Sequence, residues 1–373
     1  MKPLRIALLG TRGIPARYGG FETFAEQLST RLVKRGHAVT VYGRCGLLDR
    51  WGRREPYDGV ERRVTPTIFH KYLETPLHAV SSFIDLLPRS FDAALVCNAA
   101  NSPMLPLILA KRIPLLVNVD GIERNRAKWN RLGKLWYLLG ERCSVSFATR
   151  LVSDAEVIAE YYRTAYGCES EVIPYGVHPV IRPPGEVLER FGLSPSKYLL
   201  YVSRLEPENN ALGVIEAYNR LNTAMPLVIV GDAPYATEYK ARLRQIAGAK
   251  VIFTGFQFGA AYEELQSHCY LYVQATEVGG THPALVESMS YGNCVVVNGT
   301  PENLEVIDGA GLSFPKNDFE QLSGILDQLL KDPARVHDLG SRAKQRAHDR
   351  YSWDTVVGRY ERLLRDLVQE FGR

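Results

Sequence analysis

"LRIALLGTRGIPARYGGFETFAEQLSTRLVKRGHAVTVYG", residues 4–43, decides the fold. An apolar run ends at Gly10, the stretch "FETFAEQLSTRLVKRG" repeats its apolar positions at helical spacing, and a second apolar run closes the segment. Two unbroken apolar strands around one helix predict a β-α-β unit, and the lack of polar alternation predicts a parallel sheet covered on both faces. Runs of the same kind follow at "AALVC" (93–97), "PLLVNVDG" (114–121) and "TRLVSD" (149–154).

The pattern then repeats. After the Pro-rich connector "IPYGVHPVIRPPG" (173–185) come "YLLYVSR" (198–204), "PLVIVGD" (226–232), "KVIFTG" (250–255), "LYVQA" (271–275) and "CVVVNG" (294–299). The chain therefore reads as α/β: two Rossmann-like, doubly wound parallel-sheet domains facing across a crevice, joined by a stiff linker near residue 180. Its 373 residues suit two cores rather than one. In "WDTVVGRYERLLRDLVQEFGR", Val357, Tyr360, Leu363, Leu364, Leu367, Val368 and Phe371 recur at i, i+3 and i+4, which predicts an amphipathic helix that must cover a surface.

Composition excludes several classes. Hydrophobic content of 46% and charged content of 23% are those of a globular protein. The six cysteines form no C-x-x-C pair and no cluster with histidine, so neither a zinc site nor a disulfide framework is expected. No stretch approaches the roughly 20 apolar residues of a membrane span, and four unbroken apolar residues before Gly10 are too few for a signal-peptide core. A cytoplasmic location is expected. Residues 1–175 carry 25 Lys+Arg against 17 Asp+Glu, or +8, and the remainder 20 against 24, or −4. The basic half is expected to meet something anionic. It holds no basic stripe with base-stacking aromatics, so nucleic acid is not expected as a partner.

In such folds ligands bind outside the carboxyl ends of the strands, and three features sit there. Gly19 and Gly20, in the loop after the first strand, offer N–H groups beside a helix N-terminus, as an anion site or as a plain glycine turn. Arg204 in "SRLEPENN" can grip phosphate oxygens or pair with Glu206 or Glu208. In "EVGGTHPALVESMSYGNCVVVNG" (277–299), a glycine pair and Pro283 precede a short helix. Glu287, one turn in, could accept two hydrogen bonds from a vicinal diol such as a ribose.

"YGGFE", "IPYGV", "SRLEPE", "VGDAP", "FTGF" and the Glu287 helix followed by "YGNCVVV" together resemble the family 4 retaining glycosyltransferases of the GT-B fold over essentially the whole chain. The stretches "TRGIPARYGGFET", "VDGIERNRAKW" and "EVGGTHP" resemble more particularly the bacterial rhamnosyltransferase-type branch of surface-polysaccharide synthesis. The resemblance implies an acceptor domain at 1–175, a nucleotide-sugar (donor) domain at 176–355, and a helix at 356–373 packing back on the first. It implies Asp120, Arg204 and Glu287 as catalytic residues. Donor-binding would fall to Gly19, Gly20, Arg204, Asn209, Phe256, Glu277, Gly279, Gly280, Thr281, His282 and Glu287. Where the family has a lysine five residues after the arginine, this chain has Asn209, so Arg12, Arg17 or a helix end would have to supply the missing charge. The family places seven residues between two glutamates; here nine separate Glu277 from Glu287, so either Glu277 still reaches the sugar or Gly279 fills its place.

The sequence holds no D-x-D pair, and "SDAE" at 153–156 reads as a capping box, so no metal and no cofactor beyond the nucleotide-sugar donor are expected. The segment 123–143 mixes five cations, Arg124, Arg126, Lys128, Arg131 and Lys134, with Trp129, Trp136 and Tyr137. It reads either as a basic helix on an anionic membrane or as a core-packed helix with a basic face. The expected function is transfer of a sugar, rhamnose on the branch resemblance, to a glycan or lipid-diphosphate-linked acceptor, with retention, peripherally on the inner face of the cytoplasmic membrane. The alternatives are a nucleotide-sugar epimerase of the same fold and a non-catalytic nucleotide-sugar-binding partner.

Overall fold

The first strand, β1 (Arg5–Leu9), sends Ile6 and Leu8 into one core and Ala7 and Leu9 into another. A strand buried on both sides has no use for polar alternation, which is why it reads as a continuous run. The computed structural model describes residues 2–16, 19–70, 72–119, 121–125, 129–234 and 236–372. Two units divide the chain: one runs to Gly176 and resumes at Trp353, and the other spans Val177–Ser352.

In the first unit β1 leads to α1 (Gly20–Lys34), β2 (Ala38–Gly46), β3 (Gly52–Tyr57), β4 (Val60–Thr67), α2 (Glu74–Leu86) and β5 (Ala93–Cys97). A 3-10 stretch (Ala99–Met104), α3 (Pro106–Leu109), β6 (Leu115–Asn118), α4 (Arg131–Phe147), β7 (Arg150–Ser153), α5 (Glu156–Tyr166) and β8 (Ser170–Val172) follow. The sheet order is β3-β4-β2-β1-β5-β6-β7-β8, parallel throughout except between β3 and β4.

The second unit holds α6 (Glu186–Arg190), β9 (Leu199–Val202), α7 (Ala211–Asn219), β10 (Leu227–Val230), α8 (Thr237–Ile246), β11 (Val251–Gly255), α9 (Ala260–His268) and β12 (Leu271–Gln274). Then come α10 (Pro283–Tyr291), β13 (Cys294–Asn298), α11 (Pro301–Ile307), β14 (Leu312–Phe314), α12 (Phe319–Lys331) and α13 (Pro333–Arg350). Its sheet, β11-β10-β9-β12-β13-β14, is wholly parallel. Leu199 and Tyr201 of β9 face one core and Leu200 the other. Both units are therefore doubly wound.

The last helix, α14 (Trp353–Phe371), returns to the first unit. Val356, Val357, Tyr360, Leu363, Leu364 and Leu367 join the core that holds Ile6 and Leu8, and the Tyr360 ring packs at a tilt against Phe24 of α1, with centroids 5.3 Å apart. At about 1.5–3 kcal/mol per buried side chain, this face contributes on the order of 10 kcal/mol, as much as the whole net stability of a domain. The helix starts three residues before the expected 356, and Phe371, expected on the apolar face, is 49% exposed.

The charged stretch 52–67, which holds no apolar run, forms the β3–β4 hairpin, turning at Asp58 and Gly59 with φ 47° and 80°. The expected capping box at 153–156 does not form. Ser153 ends β7 and its hydroxyl pairs with that of Ser170 at 2.7 Å, while α5 begins at Glu156 with Ala155 as its N-cap.

Candidate active site

Loop 275–282, between β12 and α10, is built from three directions. Asn298 and Asn210 both donate to the Ala275 carbonyl, at 3.1 and 3.0 Å, and Asn303 donates to that of Thr276 at 3.1 Å. Asn210 also donates to Glu277 Oε1 at 2.9 Å, and the Glu277 amide bonds the Glu208 carbonyl. Glu277 is thus anchored to the start of α7. These asparagines fix the loop through their amide groups, because a short side chain that both donates and accepts can bridge strand ends.

Gly279, Gly280 and Thr281 are buried, and His282 caps α10 with Pro283 at the first helical position. A Cβ on Gly279 would lie 2.4 Å from the His282 ring, so only glycine lets the imidazole fold over the loop. Glu287 is partly buried on the second turn. Its Oε2 accepts from the Tyr262 hydroxyl at 2.7 Å, and that hydroxyl accepts from Gln266 at 2.8 Å. Oε1 accepts no hydrogen bond among the described residues. Burial pushes the Glu287 carboxyl up to about 7, against the opposing effect of the Tyr262 hydrogen bond. Tyr262, from α9, was not expected in the site; nothing in "AAYEELQ" marks it.

Arg204 follows β9 and is partly buried, with Glu206 approaching its guanidinium at 3.9 Å. Asn209 does not stand in for the missing lysine. It is buried, and its side chain donates to the Arg204 carbonyl at 2.6 Å, which fixes the turn that presents Arg204. Phe256, just past β11, stacks on Phe258 at 5.8 Å and leaves an exposed aromatic ledge suited to a base.

In the first unit Gly19 is the N-cap of α1 and Gly20 its first residue. This helix end is not bare: the buried Glu22 carboxylate stands beside it and accepts the Arg12 amide at 2.9 Å. Burial raises the Glu22 carboxyl above its ordinary range. The Arg12 guanidinium reaches Glu74 at 3.0 Å and is already partnered by a carboxylate. Asp120 and Arg17 lie outside the described residues.

Residues 18–180 match the model of the Glycosyltransferase Family 4 domain, and residues 189–346 that of Glycosyl transferases group 1. The chain carries both domains of a glycosyltransferase. It is 27% identical to the GDP-mannose-dependent alpha-(1-6)-phosphatidylinositol monomannoside mannosyltransferase of Mycolicibacterium smegmatis, over 96% of this chain and 97% of that one. Sucrose-phosphate synthase of Thermosynechococcus elongatus superposes over 98% of this chain and all of its own, with TM-score 0.82 and 17% identity. HepE of Anabaena, in complex with UDP and glucose, does so over 97% of this chain and all of its own, at TM-score 0.80 and 17% identity. These structural likenesses show the fold, two Rossmann-like α/β domains of the GT-B kind.

Within the family 4 domain the basic segment departs from expectation. Residues 123–143 are not one helix: 123–125 form a 3-10 turn, and α4 starts at Arg131, capped by Asn130, whose side chain accepts from the Gly133 amide at 2.9 Å. Arg124 turns inward, pairing with buried Glu141 at 3.0 Å and donating to the Tyr161 hydroxyl at 2.6 Å. Trp129 packs on Tyr137 and Tyr72, with ring centroids at 5.2 and 6.1 Å. Arg131 is exposed, and Arg126 and Lys128 lie outside the described residues. Beside exposed Arg131, Lys134 and Arg142, α4 also presents apolar side chains outward: Leu132, Leu135 and Leu139 are 74%, 61% and 45% exposed.

Proposed function

We propose that this glycosyltransferase moves a hexosyl group from a nucleoside-diphosphate sugar to a glycan or lipid-linked acceptor in the synthesis of a bacterial surface polysaccharide or glycolipid. The observation that carries this reading is the second unit's loop 275–282, which runs into a helix bearing Glu287, with Arg204 at the end of the adjacent strand β9 and the Phe256 ledge at the end of β11 in the same sheet. In the proposed reaction, the bond from the sugar's anomeric carbon to the diphosphate breaks and its electron pair goes to the phosphate oxygen. The acceptor oxygen then bonds that carbon from the same face, and its proton passes to the departing diphosphate. Charge grows on the diphosphate, so Arg204 and the N-terminus of α10 would act most strongly in the transition state. Glu287 would hold the ribose hydroxyls and Phe256 the base. Asp120 would stand beside the reacting sugar, and the first unit would take the acceptor. No cofactor and no metal are proposed, on the ground that the sequence lacks a D-x-D pair.

Rhamnose as the sugar rests on the three branch-like stretches, whereas the full-length relative is named for GDP-mannose. A panel of nucleotide sugars, followed for hydrolysis and transfer with and without a chelator, tests both and separates a transferase from an epimerase or a binding partner. The anomeric configuration of the product tests retention. Absence of turnover and of binding with every donor would overturn the reading. Peripheral membrane docking is proposed through α4, where the outward leucines lie between Arg131, Lys134 and Arg142, all exposed.

A further inference from the structure

The first unit contains a cavity of about 360 Å³ that none of the assigned donor-site residues lines. Its walls are the loop Arg12 to Pro15, the carboxyl half of β2 at Gly43 and Arg44, and β4 at Arg62 and Arg63, with Glu22 at one side. Bare backbone seats the loop on β2: a Cβ on Gly13 would meet the Gly43 Cα at 2.8 Å, and the Arg44 amide donates to the Arg12 carbonyl at 3.2 Å.

Among the described residues, two guanidiniums around this space keep donors that no carboxylate takes up. Arg63 is neutralised by Asp85, which it grips with two hydrogen bonds of 2.7 and 2.8 Å. Arg12 and Arg44 share one carboxylate, Glu74, at 3.0 and 2.8 Å. Arg44 is nearly buried, and its Nε has no hydrogen-bond partner among the described residues. Arg62 reaches no carboxylate there, and its one hydrogen bond is a 3.4 Å contact to the Glu55 carbonyl. Among the described residues Arg62 thus has no carboxylate, and Arg44 keeps an unbonded Nε beside its pair with Glu74. A partly buried guanidinium without a counter-charge, such as Arg62, is stabilised when an anion arrives, and guanidinium geometry favours an oxyanion.

We propose that this cavity binds an oxyanion group of the acceptor, a phosphate ester or a carboxylate, held by Arg62 and the field of Arg44. The word acceptor rests on the transferase reading; the anion site does not. The cavity lies over β2 and β4 beside the loop that leads from β1 to Gly19 and Gly20, within the unit that takes the acceptor on the transferase reading, which favours the acceptor over the donor.

Isothermal titration of the full chain with inorganic phosphate, glycerol 3-phosphate, glucuronate and neutral glucose is the test. Binding of an oxyanion and none of glucose is expected. Tighter binding of glycerol 3-phosphate assigns a phosphate ester, and tighter binding of glucuronate a carboxylate. Arg62→Gln should weaken the oxyanion at least tenfold and leave nucleoside-diphosphate affinity within twofold; Arg44→Gln should abolish oxyanion binding. Should Arg44→Gln fail to fold, Arg62→Gln, which loses only one long contact, still decides. The proposal is overturned by no oxyanion binding, by binding indifferent to Arg62→Gln, or by an equal loss of nucleoside diphosphate, which would make the cavity part of the donor site. Failure of the transferase reading would show separately, as no turnover with any nucleotide sugar.

Discussion

The hydroxyl of Tyr262 donates to Oε2 of Glu287 at 2.7 Å, joining α9 to α10 at the carboxylate proposed to hold the ribose. Glu287 titrates near neutrality, its carboxyl raised to about 7 by burial. Two ribose hydroxyls need the ionised form as acceptor. Nucleoside-diphosphate affinity should therefore rise as pH goes from 6 to 8 and then level off. Tyr262→Phe removes a bond that favours the ionised form, so the midpoint should move upward. A flat affinity profile by calorimetry across this range would remove Glu287 from the ribose.

Glu287→Gln leaves one acceptor where there were two and should cost about 1.5 to 3 kcal/mol of donor binding. The same change should stabilise the fold at alkaline pH. The folded carboxyl titrates at about 7 against an ordinary 4.5, so the native state binds the proton more tightly and loses stability as pH rises between those values. Thermal unfolding at pH 8 should show the variant ahead of wild type by on the order of 1 to 3 kcal/mol, the upper end being the full shift at about 1.4 kcal/mol per unit, and no lead at pH 4. Equal stability at both pH values would mean that the carboxylate is well solvated.

Arg204→Ala should lower turnover more than donor affinity, because the charge it faces grows as the bond breaks. Asn209→Ala should reproduce part of that loss with Arg204 intact, since its amide holds the Arg204 carbonyl at 2.6 Å. Steady-state and single-turnover kinetics separate the effects. If Asn209→Ala changes nothing, the turn holds without it.

How much the sequence disclosed depended on what each element buries. Strands such as β1, β9 and β13 are buried on both faces and announce themselves as apolar runs. The β3–β4 hairpin did not, because it lies at the sheet edge and its inward positions include Arg63, whose charge is cancelled by Asp85 from α2. Such a pairing is invisible along the chain, although the Asp58-Gly59 turn is a local hairpin signal that was there to be read. Glu287 was legible as a carboxylate in an apolar helix. Tyr262 was not, because α9 and α10 become neighbours only when the sheet forms. The 123–143 segment misled for a related reason: Arg124 looks like surface charge until Glu141, seventeen residues on, is found beneath it.

The charge cluster that fastens α14 gives a stability prediction. Burial pushes the Glu361 carboxyl up, but hydrogen bonds from His37, Arg365 and Arg35 outweigh it and bring it down to about 2. That contribution is present above the ordinary 4.5 and is lost as pH falls toward 2. Glu361→Gln should cost about 1 to 3 kcal/mol at pH 7, within the range for losing hydrogen bonds to a charged group. The deficit should shrink by pH 3. Denaturant unfolding at the two pH values checks it, and a deficit unchanged at pH 3 would assign the effect to packing.

The last prediction concerns the membrane, where the geometry of α4 changes what should be expected of salt. A docking surface made of five cations would release at high ionic strength, since each is worth about 1 kcal/mol at an anionic surface and is screened within a Debye length. Of those expected in residues 123–143, Arg124 is committed to Glu141. The outward face offers Leu132, Leu135 and Leu139 at i, i+3 and i+7, flanked by Arg131, Lys134 and Arg142. Burying a leucine contributes about 1.5 to 3 kcal/mol and does not weaken with salt. Liposome co-sedimentation should therefore show binding that anionic lipid strengthens but that high salt only partly reverses. Changing the three leucines to serine should abolish it, and changing Arg131, Lys134 and Arg142 to serine should only reduce it. These positions are exposed, so the variants should fold, and circular dichroism confirms that. Binding that survives the leucine variant, or that vanishes completely at high salt, would return the interaction to charge alone.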